Sequence, residues 1–144
     1  MHILVATDAD YVANDVTAAL SGPDVSFTIC SEGRDVSRVV GEGGVDLAIL
    51  DLQIGSKGGM AVSMDLRLDH SDDRVPDVKV LMLLDRKADV HLAKRSAADA
   101  WLVKPTDPLT LKRTVRALLF PAPEAIPLDE PDAETAEEDA PVAG

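Results

Sequence analysis

The chain has 144 residues and a formal net charge of −12, and its length fits one domain with a single substantial core. Aromatic residues make up only 3% of it, so stacking surfaces for single-stranded nucleic acid are not expected. The negative charge argues against binding to a phosphate backbone, and we therefore expect no nucleic-acid partner. No apolar run approaches the roughly 18 residues of a membrane span, so direct membrane insertion is not expected.

Short apolar runs alternate with segments of helical periodicity from residue 1 to residue 120. The runs predict strands and the periodic segments predict helices. In chain order we expect a strand at 2–7, a helix at 10–20, a strand at 25–30, a helix at 35–42, a strand at 45–50, a helix at 60–70, a strand at 78–84, a helix at 89–97, a strand at 100–103 and a helix at 109–119. Five such units with short connections predict a three-layer α/β fold with a parallel sheet between helices.

The composition changes sharply after Phe120, and we divide the chain into a domain at 1–120 and a tail at 121–144. Eight of the 26 acidic residues lie in the tail, which has no lysine or arginine, so the domain keeps 18 acidic and 14 basic residues. Prolines between acids and alanines provide little apolar surface, which predicts a disordered tail. An apolar tetrad at 125–128 is either composition noise or a short anchor, through Ile126 and Leu128, for a partner's groove.

Three of the predicted strands lead into charged residues at their carboxyl ends. Asp8 follows the first strand, Asp51 comes at the end of the apolar run of the third, and Lys104 follows the fifth. In an open parallel sheet between helices, ligands bind at that edge. Paired carboxylates suit a hard divalent cation, usually Mg²⁺, and a lysine suits an anion. Together these residues describe a place to make an acyl phosphate on an aspartate.

In this ordered set of residues, the chain resembles the receiver domain of bacterial two-component response regulators over residues 1–120. Gly59, Trp101 and Lys104-Pro105 also match family positions: the glycine that opens a helix, the aromatic switch residue, and the lysine and proline after the fifth strand. The resemblance implies a flavodoxin-like (CheY-like) fold with strand order 2-1-3-4-5 and five helices. It also implies that Asp51 is the phosphoacceptor, with Lys104 as its partner.

The resemblance further implies a Mg²⁺ site on Asp8 and Asp51, but the metal-binding part of the pattern is incomplete. The family has two adjacent acids after the first strand, and Thr7 stands at the first of these positions. Losing one acid weakens the affinity for Mg²⁺, because carboxylates must replace its tightly held water. Asp10 lies two residues beyond Asp8 and is a candidate substitute.

Three further departures concern the switch that follows phosphorylation. Leu84 stands where the family has a threonine or serine whose hydroxyl binds a phosphoryl oxygen, so that coupling is expected to be absent. Asp85 replaces a small residue and is expected to repel an incoming phosphoryl group. Gly55 replaces a proline and is expected to loosen its loop. A residual ion pair between Asp51 and Lys104, in a scaffold that requires no cofactor, is therefore the alternative to a working phosphoacceptor.

In the family, the fourth helix, fifth strand and fifth helix form the usual contact surface. Basic residues occupy these elements in this chain, among them Lys94, Arg95, Arg113 and Arg116. Such a cluster favours an acidic partner surface or the acidic tail, with an ordinary solvated face as the alternative. Trp101 is either an interface anchor or a half-buried strand residue.

With no output domain after residue 120, the chain is expected to act by contacting another protein. Its only expected chemistry is self-phosphorylation and dephosphorylation at Asp51, so we do not class it as an enzyme. The main interpretation is a phosphorylation-independent interaction module or accessory subunit. The whole chain resembles actinobacterial orphan response-regulator-like proteins associated with respiratory complex I, the NADH:quinone oxidoreductase. The alternative is a single-domain response regulator that takes phosphate from a histidine kinase. Both predict a cytoplasmic protein, at most peripheral to the plasma membrane through a partner complex.

Overall fold

The computed structural model describes residues 1–121, in which strands and helices alternate in the order that the sequence predicts. The strands are β1 (His2–Ala6), β2 (Ser26–Cys30), β3 (Leu47–Asp51), β4 (Lys79–Leu84) and β5 (Ala100–Val103). The helices are α1 (Asp10–Leu20), α2 (Val36–Gly41), α3 (Gly59–Ser71), α4 (Val90–Arg95) and α5 (Pro108–Leu119). Short 3-10 turns at Gly33–Asp35 and Lys87–Asp89 lead into α2 and α4.

The strands form one parallel sheet in the order β2-β1-β3-β4-β5. This confirms the flavodoxin-like, CheY-like arrangement expected from the sequence. The direction of winding reverses between β1 and β3, so the helices that follow these strands leave toward opposite faces of the sheet. A crevice opens at the carboxyl ends of the strands at such a switch point, which is where open α/β sheets bind ligands.

Apolar side chains cover both faces of the sheet. Along β1, Leu4 and Ala6 belong to one apolar cluster, whereas Ile3 and Val5 belong to the other. Helices α2, α3 and α4 contribute to the first cluster, and α1 and α5 contribute to the second. Every residue of β3 is buried, including the charged Asp51. The packing on both faces keeps the strands in register, so the side chains at their ends hold fixed positions.

Some element boundaries differ from the predicted ones by one or a few residues. The third strand includes Asp51, because that residue pairs with Leu83 on β4. The fourth helix, predicted to reach residue 97, ends at Arg95, and Ala97 adopts a left-handed backbone conformation with φ of 61°. Such a conformation cannot continue a right-handed helix.

Two helices begin at positions with a clear local cause. At the start of α5, Pro108 occupies the first turn and the Asp107 carboxylate accepts a hydrogen bond from the Thr110 amide at 2.9 Å. This bond lowers the pKa of Asp107, because it stabilises the charged form. At the start of α3, a Cβ atom on Gly59 would lie 2.6 Å from the Asp51 carbonyl oxygen. Glycine therefore allows α3 to begin directly against the end of β3.

Residues 122–144 lie outside the described part of the chain, and with them the predicted anchor residues Ile126 and Leu128. The division of the chain at residue 120 and the disorder of the tail therefore stay predictions. Among residues 1–121, no helix combines the length and the apolar character needed to cross a membrane.

Candidate functional site

The carboxyl ends of β1, β3 and β5 bring charged residues to one edge of the sheet. Asp51 is the last residue of β3 and is only 2% exposed. Lys104 follows β5, and its Nζ atom lies 2.8 Å from Asp51 Oδ1. Asp8 follows β1, which is the neighbour of β3 on the side away from β4. The structure thus puts Asp51 and Lys104 in direct contact and Asp8 at the end of the adjacent strand.

Asp51 has three hydrogen-bond donors within the protein. The Thr7 hydroxyl donates to Oδ2 at 2.7 Å, the Gln53 amide donates to Oδ1 at 3.0 Å, and Lys104 Nζ donates to Oδ1. These three donors satisfy the hydrogen-bonding needs of a buried carboxylate. Sequence reasoning notes only that Thr7 replaces an acid of the family and misses its hydrogen bond to Asp51. The signal that could have found this bond is a hydroxyl residue next to the end of a strand that neighbours the strand of Asp51.

Asp8 is exposed and contacts the loop after β3. Its Oδ2 atom accepts a hydrogen bond from the Gly55 amide at 3.0 Å. Proline, the usual residue of the family at this position, has no N–H and could not make this bond. The loop that the sequence predicts to be looser is therefore tied to the end of β1 through Gly55.

Two carboxylates at this edge are candidates to hold a Mg²⁺ ion. Mg²⁺ is usually held by one or two carboxylates and keeps several waters, and Asp8 and Asp51 supply two carboxylates from adjacent strands. Among residues 1–121, no group of three or more His, Cys, Asp or Glu side chains is arranged to hold a metal ion. Asp10 is exposed at the start of α1 and forms no such group with Asp8 and Asp51.

Lys104 also contacts a second carboxylate, that of Asp85. The Lys104 Nζ atom lies 3.0 Å from Asp85 Oδ1, and the Lys104 side chain is 10% exposed. Burial by itself would lower the pKa of Lys104, but the hydrogen bonds to Asp51 and Asp85 outweigh it and raise the pKa above its usual value. Sequence reasoning finds the repulsive charge of Asp85 but misses this ion pair, because the pair depends on how β4 and β5 align.

Comparisons with known proteins show which family has this arrangement of residues. No protein-family model matches the chain. A response regulatory protein of Mycobacterium tuberculosis, itself described as uncharacterized, is 34% identical over 125 residues, which cover 83% of this chain and 91% of that protein. The chain belongs to the response regulator family.

This response regulator is also similar to a longer member of the family. The DNA-binding response regulator MtrA of Mycolicibacterium smegmatis is 33% identical over 118 residues, which cover 82% of this chain but 50% of MtrA. Among solved structures, the receiver domain of the sensor histidine kinase PA1611 of Pseudomonas aeruginosa has a TM-score of 0.71 at 18% identity. The match covers 82% of this chain and 96% of that domain, and it shows the receiver fold alone.

The response regulator departs from the family pattern at the end of β4. Leu84 is fully buried and pairs with Val103 of β5. The Leu84 carbonyl accepts a hydrogen bond from the Lys104 amide at 2.7 Å. Its side chain has no hydroxyl with which to bind a phosphoryl oxygen. The backbone hydrogen bond between the ends of β4 and β5 is therefore present, but the Leu84 side chain cannot hydrogen-bond to a phosphoryl group.

The partner-binding face predicted for the response regulator lies at the β5 edge of the sheet. Trp101 is half-buried there and packs against the apolar cluster beneath α4, and Lys94 Nζ lies 5.8 Å from the centroid of its ring. This is a cation–π contact. Four basic residues of the face are exposed and form no ion pair among residues 1–121: Lys94, Arg95, Arg113 and Arg116.

Proposed function

We propose that this response regulator is a receiver domain that accepts a phosphoryl group on Asp51. The observation that carries the proposal is the 2.8 Å contact between Lys104 Nζ and Asp51 Oδ1 at the carboxyl edge of the sheet. Carboxylates serve as covalent nucleophiles in phosphoryl transfer, and a neighbouring cation offsets the negative charge that arrives. The sequence similarity to two response regulators also supports the proposal that Asp51 accepts a phosphoryl group.

In the proposed reaction, one Asp51 oxygen attacks the phosphorus atom of the donor. A bond from Asp51 to phosphorus forms, the bond from phosphorus to the donor breaks, and its electron pair leaves with the donor. Gln53 and Thr7 fix the orientation of the carboxylate, and Lys104 offsets charge on the phosphoryl oxygens. Asp8 and Asp51 are the residues that would hold Mg²⁺, which when bound adds further charge neutralisation there.

The donor that fits this proposal in the cell is the phosphohistidine of a histidine kinase, because the relatives of this chain are response regulators. In the test tube a small acyl phosphate can replace the kinase. Full-length protein is incubated with Mg²⁺ and acetyl phosphate, and its intact mass is then measured. Wild type should gain one phosphoryl group, and Asp51→Asn should gain none because the nucleophilic carboxylate is absent.

Asp24→Asn is the matched control for this experiment. Asp24 is an exposed acid in the turn before β2, at the opposite edge of the sheet from Asp51. The variant removes the same charge as Asp51→Asn and should gain the phosphoryl group as wild type does. Unlabelled wild-type protein, or labelling that persists in Asp51→Asn, would refute the proposal.

A second function is favoured by the end of β4, namely a protein-interaction module that works without phosphorylation. Leu84 offers no hydroxyl to detect a phosphoryl group, and Lys104 and Thr7 already satisfy Asp51. In this role the protein would be an accessory subunit of a larger assembly, for which the sequence suggests respiratory complex I. No comparison supports that partner. It stays a prediction, as does the cytoplasmic or membrane-peripheral location.

Both functions require a protein partner, and we propose the face around Trp101 as the contact surface. Its exposed basic side chains on α4 and α5 fit an acidic partner, because complementary charge steers association and excludes wrong partners. Trp101 contributes a large, partly exposed ring of the type that anchors interfaces. The additional anchor predicted at Ile126 and Leu128 lies outside the described residues and rests on the sequence alone.

Co-purification at native expression levels distinguishes the two functions. If Asp51→Asn retains the same partner as wild type, the interaction does not need phosphorylation; if the partner is lost, phosphorylation controls it. A double variant, Arg113→Glu with Arg116→Glu, should lose the partner in either case, because it reverses the charge at two of the four basic positions of the proposed face. A thermal unfolding temperature close to that of wild type would show that the double variant is folded. Retention of the partner by this variant would assign the interface to another surface.

A further inference from the structure

Two carboxylates compete for the lysine of the site. Lys104 Nζ is 2.8 Å from Asp51 Oδ1 and 3.0 Å from Asp85 Oδ1. Two negative charges therefore surround one positive charge, and the group as a whole carries one excess negative charge. An ammonium group has only three N–H donors, so the hydrogen bonds that Lys104 makes to Asp85 reduce the number available to Asp51.

The pairing of β4 with β5 determines the position of Asp85. Leu84 pairs with Val103, and the Lys104 amide donates to the Leu84 carbonyl at 2.7 Å. Asp85 and Lys104 are the next residues after this pair on each strand, so their side chains begin from neighbouring points of the backbone. The proximity of Asp85 to Lys104 thus follows from the sheet itself.

Asp85 is also the most exposed of the three charged groups. Its side chain is 37% exposed, against 10% for Lys104 and 3% for Asp51. It therefore lies on the solvent side of the buried ion pair, and a phosphoryl donor must approach from solvent. A phosphoryl group brings about two negative charges, which the Asp85 carboxylate repels.

We propose that Asp85 is a positioning residue that slows the phosphorylation of Asp51, because it retains Lys104 and adds negative charge at the mouth of the site. This inference rests on the proposed function. With acetyl phosphate as donor, the bond from Asp51 to phosphorus forms and the bond from phosphorus to the acetate oxygen breaks. Acetate leaves with the electron pair, and no proton is transferred. Removal of the Asp85 charge frees Lys104 for the phosphoryl oxygens and speeds this step.

The test measures the rate of labelling of full-length protein against acetyl phosphate concentration, with Mg²⁺, at low and high salt. Asp85→Asn should react faster than wild type by on the order of tenfold, the size expected of one nearby charge at a partly exposed site. The gain should shrink at high salt, because salt screens exposed charges. Asp85→Glu, which keeps the carboxylate, should react at nearly the wild-type rate, and Asp24→Asn should do the same.

A second measurement avoids the covalent step. Beryllofluoride, a mimic of the phosphoryl group, should bind Asp85→Asn more tightly than wild type or Asp85→Glu, as followed by fluorine NMR with Mg²⁺ present. Equal rates and equal affinities in wild type and Asp85→Asn would overturn this inference and leave the proposed function intact. Labelling of Asp85→Asn alone would support the inference and overturn the proposed function for the wild-type chain. If neither protein reacts or binds the mimic, both ideas are wrong.

Discussion

At the scale of single residues, Lys104 balances the charge of the site. It contacts both Asp51 and Asp85, and Asp51 is buried. Removing one partner of a buried ion pair leaves an uncompensated charge, which typically costs about 3–5 kcal/mol. Lys104→Met, which keeps the length of the side chain but not its charge, should therefore destabilise the protein at neutral pH.

This destabilisation should depend on pH in a defined direction. The pKa of Lys104 is raised in the folded protein, above an unfolded value of about 10.4. The stabilisation by its charge is therefore fully present below that unfolded value and is lost as the pH rises through the folded value. We expect the difference in unfolding free energy between wild type and Lys104→Met to be constant from pH 7 to about pH 10 and to narrow above it.

Urea denaturation at a series of pH values measures that difference, and Lys112→Met is its control. Lys112 is exposed on α5 and forms no ion pair among residues 1–121. Its variant should differ little from wild type across the whole range. A difference for Lys104→Met that stays constant up to pH 11.5 would contradict the assigned ion pairs.

Sequence reasoning locates the charged residues of the site but not all of their partners. Asp8, Asp51 and Lys104 could be placed at one edge because strand ends are readable from apolar runs that stop at a charge. The hydroxyl bond from Thr7 and the contact with Asp85 could not be predicted, because both depend on side-chain geometry across aligned strands. Comparison with the family pattern hides these two contacts, because it treats Thr7 and Asp85 only as departures from the usual residues.

At the scale of elements, α3 begins in contact with the end of β3. A Cβ atom on Gly59 would lie 2.6 Å from the Asp51 carbonyl oxygen and 2.9 Å from Leu52 Cα, and these are backbone atoms of a buried strand end. Gly59→Ala should destabilise the protein by about 1–3 kcal/mol or more, because overpacking forces the backbone to shift. Urea denaturation measures the change in unfolding free energy.

Gly41→Ala provides the matched comparison on another helix. Gly41 is the last residue of α2, and the nearest atom to a Cβ there is 3.6 Å away, an ordinary contact. Alanine is favoured over glycine in helices by about 0.5–1 kcal/mol, so this variant should be neutral or slightly more stable. If the two variants had equal stability, the close approach of α3 to β3 would not be the reason for glycine at position 59.

The order and type of the elements could be predicted because the strands are short runs rich in apolar or alternating residues and most helices have apolar residues at helical spacing. The boundaries were harder, for reasons that the structure makes plain. Asp51 is part of β3 because its backbone pairs with Leu83, although its side chain is charged. Helix α4 ends before the predicted residue 97 because Ala97 has a left-handed backbone conformation, and an alanine gives no sequence signal for the end of a helix.

At the scale of the whole molecule, both apolar clusters are formed within residues 1–121. A chain that ends after Pro121 should therefore keep its thermal stability to within about 2 °C of full length, which corresponds to roughly 0.5 kcal/mol. Its formal net charge would be −4 in place of −12, because the eight acidic residues that follow have no basic counterparts. Thermal unfolding of both chains at low and high salt makes the comparison.

A larger loss of stability on truncation would show that residues after 121 contact the domain. If that loss appeared at low salt and vanished at high salt, the contact would be electrostatic, and the basic face around Trp101 has the opposite charge to these acidic residues. Loss at both salt concentrations would instead indicate apolar contact, for which Ile126 and Leu128 are the predicted residues.

Leu84, at the end of β4, affects how a partner could detect phosphorylation of Asp51. The Leu84 side chain has no hydroxyl with which to bind a phosphoryl oxygen, so we expect phosphorylation of Asp51 to cause little movement on the far side of the sheet. A phosphoryl group would add about two negative charges at the mouth of the crevice. A partner bound at the face around Trp101 would therefore detect phosphorylation only if it also reaches the mouth of the crevice.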